Sequence, residues 1–496
     1  VSAASIDSGA DVAAAGERPG ERPRVCIFSR KDLERVTRVT RQAGALQEAG
    51  WDVTVVSLKK PLAETVDGTP GVEYLEVALE PWAQRVLGQR RRKLTARAAR
   101  ADRLLKPLPT PLRSALQALR VALRFPFALL AAALLRLPGD SLLGTAGNLA
   151  RARTSGGAID TAIGLFRQHA NTLSFADAAL KALGERSIAV CQAHDNYALL
   201  AAHRAAEAKG AALVYDAVEI AEHRLAIRTS LLGRLVSRFE RRQERQIFGR
   251  AAFVTTIGDG LADWYARRYR MPRPLPVRNC RHFWEYAPRD EIREDCRAEP
   301  GESIVAWFGY AYPDQGLEAL IETAAHLDDS VHIALLAAVL PRWETFLLEL
   351  RNRVTDLDLE ARVHFLPPRD PDALIPYVSG ADLGIIPRPN VSPNIFYSMP
   401  NKFMEMVMAR LPIAVSDLAD MRILIDRYGL GATFDVADPV DIARVVTEML
   451  VPSRLAELRD AVDLAASDLC WERESQAYVE RYAELAQARG LATVAA

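Results

Sequence analysis

The sequence has almost no cysteine: five in 496 residues, odd in number and scattered as Cys26, Cys191, Cys280, Cys296 and Cys470, with no C-x-x-C pair. That excludes a disulfide framework and a paired-cysteine zinc site, and makes a reducing, cytoplasmic setting the expectation. Net charge is also missing, with Lys+Arg and Asp+Glu both at 63, which argues against a protein built mainly to coat nucleic acid. Long hydrophobic runs are absent too. The most apolar stretch, FPFALLAAALL at 125–135, lies between Arg124 and Arg136 and falls well short of the roughly 20 residues that span a bilayer. Neither G-x-G-x-x-G nor G-x-x-x-x-G-K-[ST] occurs, so NAD binding and a P-loop are unsupported, and the pairs Gly258/Gly260 and Gly429/Gly431 read as turns.

What is present is ordinary globular composition, 49% hydrophobic and 25% charged, in a chain long enough for two or three cores. Residues 1–23 are small, polar and Gly/Pro-rich, without a basic start leading into an apolar run. They read as a disordered tail rather than a signal peptide. Short Val/Ile/Ala-rich runs then alternate with stretches of helical spacing: RVCIF (24–28), DVTVVSL (52–58), SIAVCQA (187–193), ALVYDA (212–217) and FVTTI (253–257). The pattern restarts after 272–300 with SIVAWFG (303–309), VHIALLA (331–337), RVHFL (362–366), DLGIIP (382–387) and PIAVSD (412–417). Such alternation predicts an α/β chain of two Rossmann-like, doubly wound domains facing a cleft. The expected organisation is an N-terminal domain over 24–280, a C-terminal domain over 281–455, and C-terminal helices over 456–490 that return to the first domain.

Residues 85–153 interrupt the first domain with fifteen Lys/Arg against only Asp102 and Asp140, a net +13. The segment combines RRRK (90–93) with the apolar run that holds Phe125 and Phe127, the two ingredients of a helix lying on anionic lipid. A helical insert whose arginines are simply solvated is the alternative. Nucleic acid is disfavoured, because aromatic residues for stacking are few.

The most informative stretch is IIPRPNVSPNIFYSMPNKFMEMVMARLPIAVSD, 385–417. A strand ends at Pro387, a Pro/Asn/Ser loop follows, and Asn401 is placed to cap a helix starting at Lys402. Its amide-rich mouth and dipole would attract an anion, with Lys402 adding a cation. Glu405, one turn in, would accept from a vicinal diol such as ribose. Together these describe a nucleoside diphosphate; the plainer alternative is a capped helix with a solvated Glu405. Asp356 and Asp358 form a D-x-D that reads as surface charge, and no metal site is expected.

From about residue 24 to 485 the chain resembles the retaining, glycogen-synthase-like family-4 glycosyltransferases of the GT-B fold. The likeness is carried by AGALQEAGWDVTVV, AVCQAHDNYAL, LVYDAVEIAEHR, FVTTIGDGLADWYARRY, FGYAYPDQGLEALIE, SMPNKFMEMVMARLPIAVSD, DPVDIARVV and CWERES, in order and spacing. The resemblance implies metal-independent sugar transfer from a nucleotide sugar of UDP or GDP type, with no resident cofactor. A glycan, lipid-linked or natural-product acceptor is expected, with peripheral membrane contact through 85–153.

It implies donor binding by the first-strand loop (Gly309, Tyr310, Gln315) and by Asn401, Lys402, Phe403 and Glu405, with Glu405 matching the second Glu of the Glu, seven residues, Glu motif. Tyr397 stands where the first Glu is usual, and Tyr310 and Gln315 where an Arg and a Lys are. Arg388 and Arg278 join Lys402 as candidate compensating cations. Val218 replaces the His of an Asp-Ala-His-Glu pattern at 216–219, which leaves His194, Asp195 and Glu219, with His223 nearby, as candidate catalytic groups. These departures keep open a second reading, a catalytically silent relative that binds a nucleotide sugar or a partner enzyme, and a third, a sugar epimerase.

Overall fold

The protein is described by a computed structural model over residues 22–33, 37–59, 70–79, 171–221, 244–286 and 289–491. The basic segment 85–153, the tail before Arg22, and His223 lie outside the described residues.

Thirteen described strands form two sheets. The first holds β1 (Arg24–Asp32), β2 (Asp52–Lys59), β3 (Glu73–Glu76), β4 (Val190–His194), β5 (Ala212–Ala217), β6 (Ala251–Thr256) and β7 (Leu275–Pro276), in the order β3-β2-β1-β4-β5-β6-β7. The second holds β8 (Ser303–Tyr310), β9 (Val331–Ala338), β10 (Val363–Leu366), β11 (Leu383–Ile386), β12 (Ile413–Ser416) and β13 (Gly431–Phe434), in the order β10-β9-β8-β11-β12-β13. Strands pair in parallel, as β1 with β2 and β4, and β8 with β9 and β11. In each sheet the chain order reverses beside the first strand, the point at which a doubly wound sheet opens a binding crevice. Two Rossmann-like domains are therefore present, as the alternating pattern predicts. The three short strands β3, β7 and β13 escape the sequence because they are edge elements with little apolar periodicity.

Why these runs become buried parallel strands is visible in β8. Ile304, Ala306 and Phe308 join one apolar cluster with Phe403, Met406 and Val415, while Val305 and Trp307 join another with Leu320, Phe346 and Ile442. Successive side chains point to opposite faces, and both faces are covered by helices, so the run is apolar throughout rather than alternating.

Contacts divide the chain into two compact units: residues up to Val254 together with the stretch from Val479 onward, and Thr255–Tyr478. Residues 255–280 cluster with the second unit for an identifiable reason. Asp420 Oδ1 and Oδ2 accept from the backbone N–H groups of Gly260 (2.7 Å) and Leu261 (3.0 Å), capping the helix Asp259–Tyr269. Arg278 adds hydrogen bonds from its backbone N–H and Nη1 to Glu474. Within the first unit, the last turns of the helix Trp471–Ala488 bring Tyr482 against Trp51 and Phe253, with ring centroids 5.6 and 5.3 Å away. The Tyr482 hydroxyl donates to Gln192 Oε1. All five cysteines are free and buried. Among the described residues no helix is long and apolar enough to cross a membrane, and no cluster of three or more His, Cys, Asp or Glu side chains is placed to hold a metal ion.

Candidate functional site

In the second unit the chain after β8 turns twice through left-handed backbone, at Asp314 (φ 77°) and Gly316 (φ 73°), before the helix Leu317–Ala324. A Cβ on Gly316 would lie 1.6 Å from the Pro387 carbonyl oxygen, so only glycine lets this loop close against the end of β11. Gly309 (φ 133°) serves a second close approach: a Cβ there would stand 3.1 Å from Lys402 Nζ.

Lys402 itself comes from the helix Asn401–Met408. The expectation that Asn401 caps a helix from Lys402 is corrected, because Pro400 occupies the N-cap position and Asn401 is already helical. Pro400 supplies the extended backbone of a cap but no side-chain acceptor, and no side chain caps the first turn. Asn401 instead accepts at Oδ1 from Asn279 Nδ2 (2.7 Å). The Phe403 side chain is fully buried in the core beneath the helix. Its burial contributes about 2 kcal/mol toward holding the helix mouth in place.

The Lys402 amine donates to Gln315 Oε1 (3.1 Å) and lies 4.3 Å from the centre of the Trp307 ring. Burial, and then the Arg388 guanidinium, push the amine down to about 7, while Glu405 pulls it the other way. Arg388 follows β11, and its Nε is buried without a hydrogen-bond partner. The structure thus gathers Gly309, Gln315, Arg388, Lys402 and Glu405. Tyr310 ends β8 and is 48% exposed. Tyr397 ends the short helix Pro393–Phe396 and packs edge-on against Phe396, with Gly260 as a further neighbour.

Arg278 does not join this group as a free cation. Its Nη1 donates to Glu474 Oε2 (3.0 Å) and its Nη2 pairs with Asp259. Burial opposes its charge, but Glu474 and Asp259 together raise its pKa. It is a structural arginine, consumed by two carboxylates.

In the first unit the polar candidates cluster at the C-terminal ends of β1, β4 and β5. His194 is buried, with Nδ1 3.0 Å from Asp216 Oδ2. Arg38 grips the same carboxylate in two-pronged fashion, Nε at 2.8 Å and Nη2 at 2.6 Å. Burial alone would raise the Asp216 carboxyl, yet Arg38 and then His194 hold it well below the usual range. Asp195 sits in left-handed backbone (φ 59°), accepts at Oδ1 from the Tyr197 N–H (2.7 Å) and pairs with Lys31 Nζ (2.9 Å). Burial opposes the Lys31 charge, but Asp195, and more weakly Glu219, raise its pKa. His194, Asp195 and Glu219 therefore do share one neighbourhood.

Arg38, Lys31 and Gln192, whose Nε2 donates to Gln42 Oε1 (2.9 Å), are not marked by the sequence. Arg35, Arg38 and Arg41 recur every third residue, a spacing that ordinarily marks a solvated helix face. Arg38 is nevertheless buried, and its guanidinium meets the buried Asp216. Asp356 and Asp358 are exposed at the end of the helix Glu344–Asp356.

No protein-family profile matches the chain. It is 24% identical over 203 residues to a D-inositol 3-phosphate glycosyltransferase of Rhodococcus opacus (strain B4), covering 39% of this chain and 44% of that protein. A second such enzyme, from Rhodococcus erythropolis, is 23% identical over 207 residues, covering 40% and 45%. The chain thus spans less than half the length of the curated relatives it matches. Among solved structures, a sucrose-phosphate synthase from Thermosynechococcus elongatus aligns over 94% of this chain and 100% of its own, with TM-score 0.62 and 13% identity. Anabaena HepE in complex with UDP aligns over 93% and 100%, with TM-score 0.59 and 13% identity. The two parallel sheets, their strand order and these alignments together give the chain the two-domain Rossmann-like architecture of the GT-B fold.

Proposed function

We propose that the protein is a nucleotide-sugar-dependent glycosyltransferase whose second unit binds the donor. The observation that carries the reading is the placement of Lys402 Nζ against Gly309 and 3.1 Å from Gln315. The two first-strand-loop positions that lack the cations usual in family-4 enzymes, Tyr310 and Gln315, belong to the loop that this amine reaches from another element. Lys402 and Arg388 supply positive charge for the diphosphate, the uncapped first turn at Asn401 supplies N–H groups, and Glu405 takes the ribose hydroxyls. HepE has been solved in complex with UDP and, separately, with UDP-glucose, which supports the donor class.

His194, Asp195 and Glu219 are the polar groups assigned to the acceptor side. Transfer with retention asks little acid–base chemistry of the chain if the leaving diphosphate oxygen itself takes the acceptor proton; the work is positioning and charge stabilisation. The acceptor class is a glycan, a lipid-linked sugar or a natural product. The relatives named for D-inositol 3-phosphate favour acceptors that are rich in hydroxyl groups. Docking of residues 85–153 on anionic lipid belongs to the same proposal and rests on composition; liposome flotation with and without anionic lipid tests it.

The deciding experiment incubates the protein with UDP-, GDP-, ADP- and dTDP-sugars while following nucleotide release and thermal shift. Release supports the transferase. A shift without release supports a silent binder, the reading that Val218, Tyr310, Gln315 and Tyr397 favour, and a changed sugar on intact nucleotide supports an epimerase. Glu405→Ala is expected to abolish the shift. An unchanged melting response in that variant removes this donor site.

A further inference from the structure

We infer that the donor site binds its diphosphate together with a proton, which is taken up at Lys402 Nζ. The inference rests on the donor site proposed above and adds the charge state of that site before and after binding.

The geometry around the amine sets opposing influences on its charge. Its hydrogen-bond partner, Gln315 Oε1 at 3.1 Å, is a neutral amide rather than a carboxylate. Among the described residues it forms no ion pair. The Trp307 ring at 4.3 Å and the carboxylate of Glu405 favour the ammonium. Burial and the facing Arg388 oppose it. Arg388 carries its own unmet need, a buried Nε without a partner. Burial of the amine and the charge of Arg388 together lower the free energy needed to release its proton.

A bound diphosphate reverses the balance. Its two negative charges meet Lys402 and Arg388 at once, so the amine regains its proton from solvent as the ligand arrives. No covalent bond changes in this step: one proton moves from water or buffer to Nζ. Reciprocity then requires that affinity for the diphosphate falls as the proton becomes scarce. Because burial and Arg388 push the amine down to about 7, the fraction of a proton taken up on binding rises from pH 7 to pH 8. Affinity declines by about tenfold per pH unit above that range.

The test is titration calorimetry with intact nucleotide sugars, UDP-glucose and GDP-mannose first, in buffers of different ionisation enthalpy at pH 7 and pH 8. A nucleotide sugar is the right probe because its diphosphate is esterified at both ends and carries no proton of its own in this range. The expected result is a buffer-dependent enthalpy that reports proton uptake rising from pH 7 to pH 8. In Lys402→Arg, whose guanidinium stays charged throughout, the uptake disappears and the affinity becomes flat with pH. Binding by the natural protein without buffer dependence overturns the inference whatever Lys402→Arg does, as does an equal uptake in that variant. If no nucleotide sugar binds at all, the donor site itself falls, and the proton coupling with it.

Discussion

Asp420 and Gly260 are joined by a 2.7 Å hydrogen bond, Oδ1 accepting from the backbone N–H, across 160 positions of sequence. A buried carboxylate thereby caps a helix that it does not precede in the chain, and it ties the start of Asp259–Tyr269 to the start of Ala419–Tyr428. Burial pushes the carboxyl up to about 6, against the N–H bonds that lower it.

The pH consequence of this carboxyl has a definite sign. An unfolded Asp releases its proton near ~4, whereas Asp420 retains its own until about 6. Between those values the folded chain binds more protons, so the contribution of Asp420 to stability falls as pH rises through that window. Asp420→Ala should flatten this slope and, by removing the cap, cost about 1 kcal/mol at pH 7. Urea unfolding at pH 4.5 and pH 7 measures both effects; a slope identical to that of the natural protein refutes the assignment.

Asp216→Asn leaves Arg38 as a buried cation with half its partner gone, and should destabilise the first unit by about 3–5 kcal/mol. Adding Arg38→Met should recover part of that loss, because it removes the buried charge that Asp216 balances. A double-mutant cycle in urea reads the coupling. Strict additivity of the two changes would show that the pair does not act as a unit.

Gly316→Ala should move the whole loop after β8, since no side chain fits 1.6 Å from the Pro387 carbonyl oxygen. Loss of the nucleotide-sugar thermal shift, with far-ultraviolet circular dichroism retained, is the expected outcome. Full binding by this variant would mean that the loop takes no part in the donor site.

Much of the architecture is legible in the residues. The runs that become β1, β2, β4, β5 and β8–β12 are short and apolar, rich in Val, Ile and Ala, and a buried parallel strand needs little more. The importance of 385–417 is legible too, because Pro400, Asn401 and Lys402 stand where an apolar periodicity begins. The residues do not show which of Asn401 and Pro400 caps the helix. Nor do they show that Phe403 faces inward while Lys402 crosses to Gln315, since a one-residue rotation on a helix exchanges such roles. Arg278 illustrates the same gap: a cation near a strand end looks available until Glu474, far along the chain, occupies it.

Composition and local pattern thus set the fold class and marked the region of the helix mouth, because strand burial and helix periodicity are properties of neighbouring residues. Tertiary structure alone decided which charges are spent and which stand ready. Arg38 and Arg278 are neutralised by carboxylates from distant segments, while among the described residues Lys402 has the neutral amide of Gln315 as its hydrogen-bond partner. The ionisation of a buried group depends on what packs against it in space, and sequence order does not specify those neighbours.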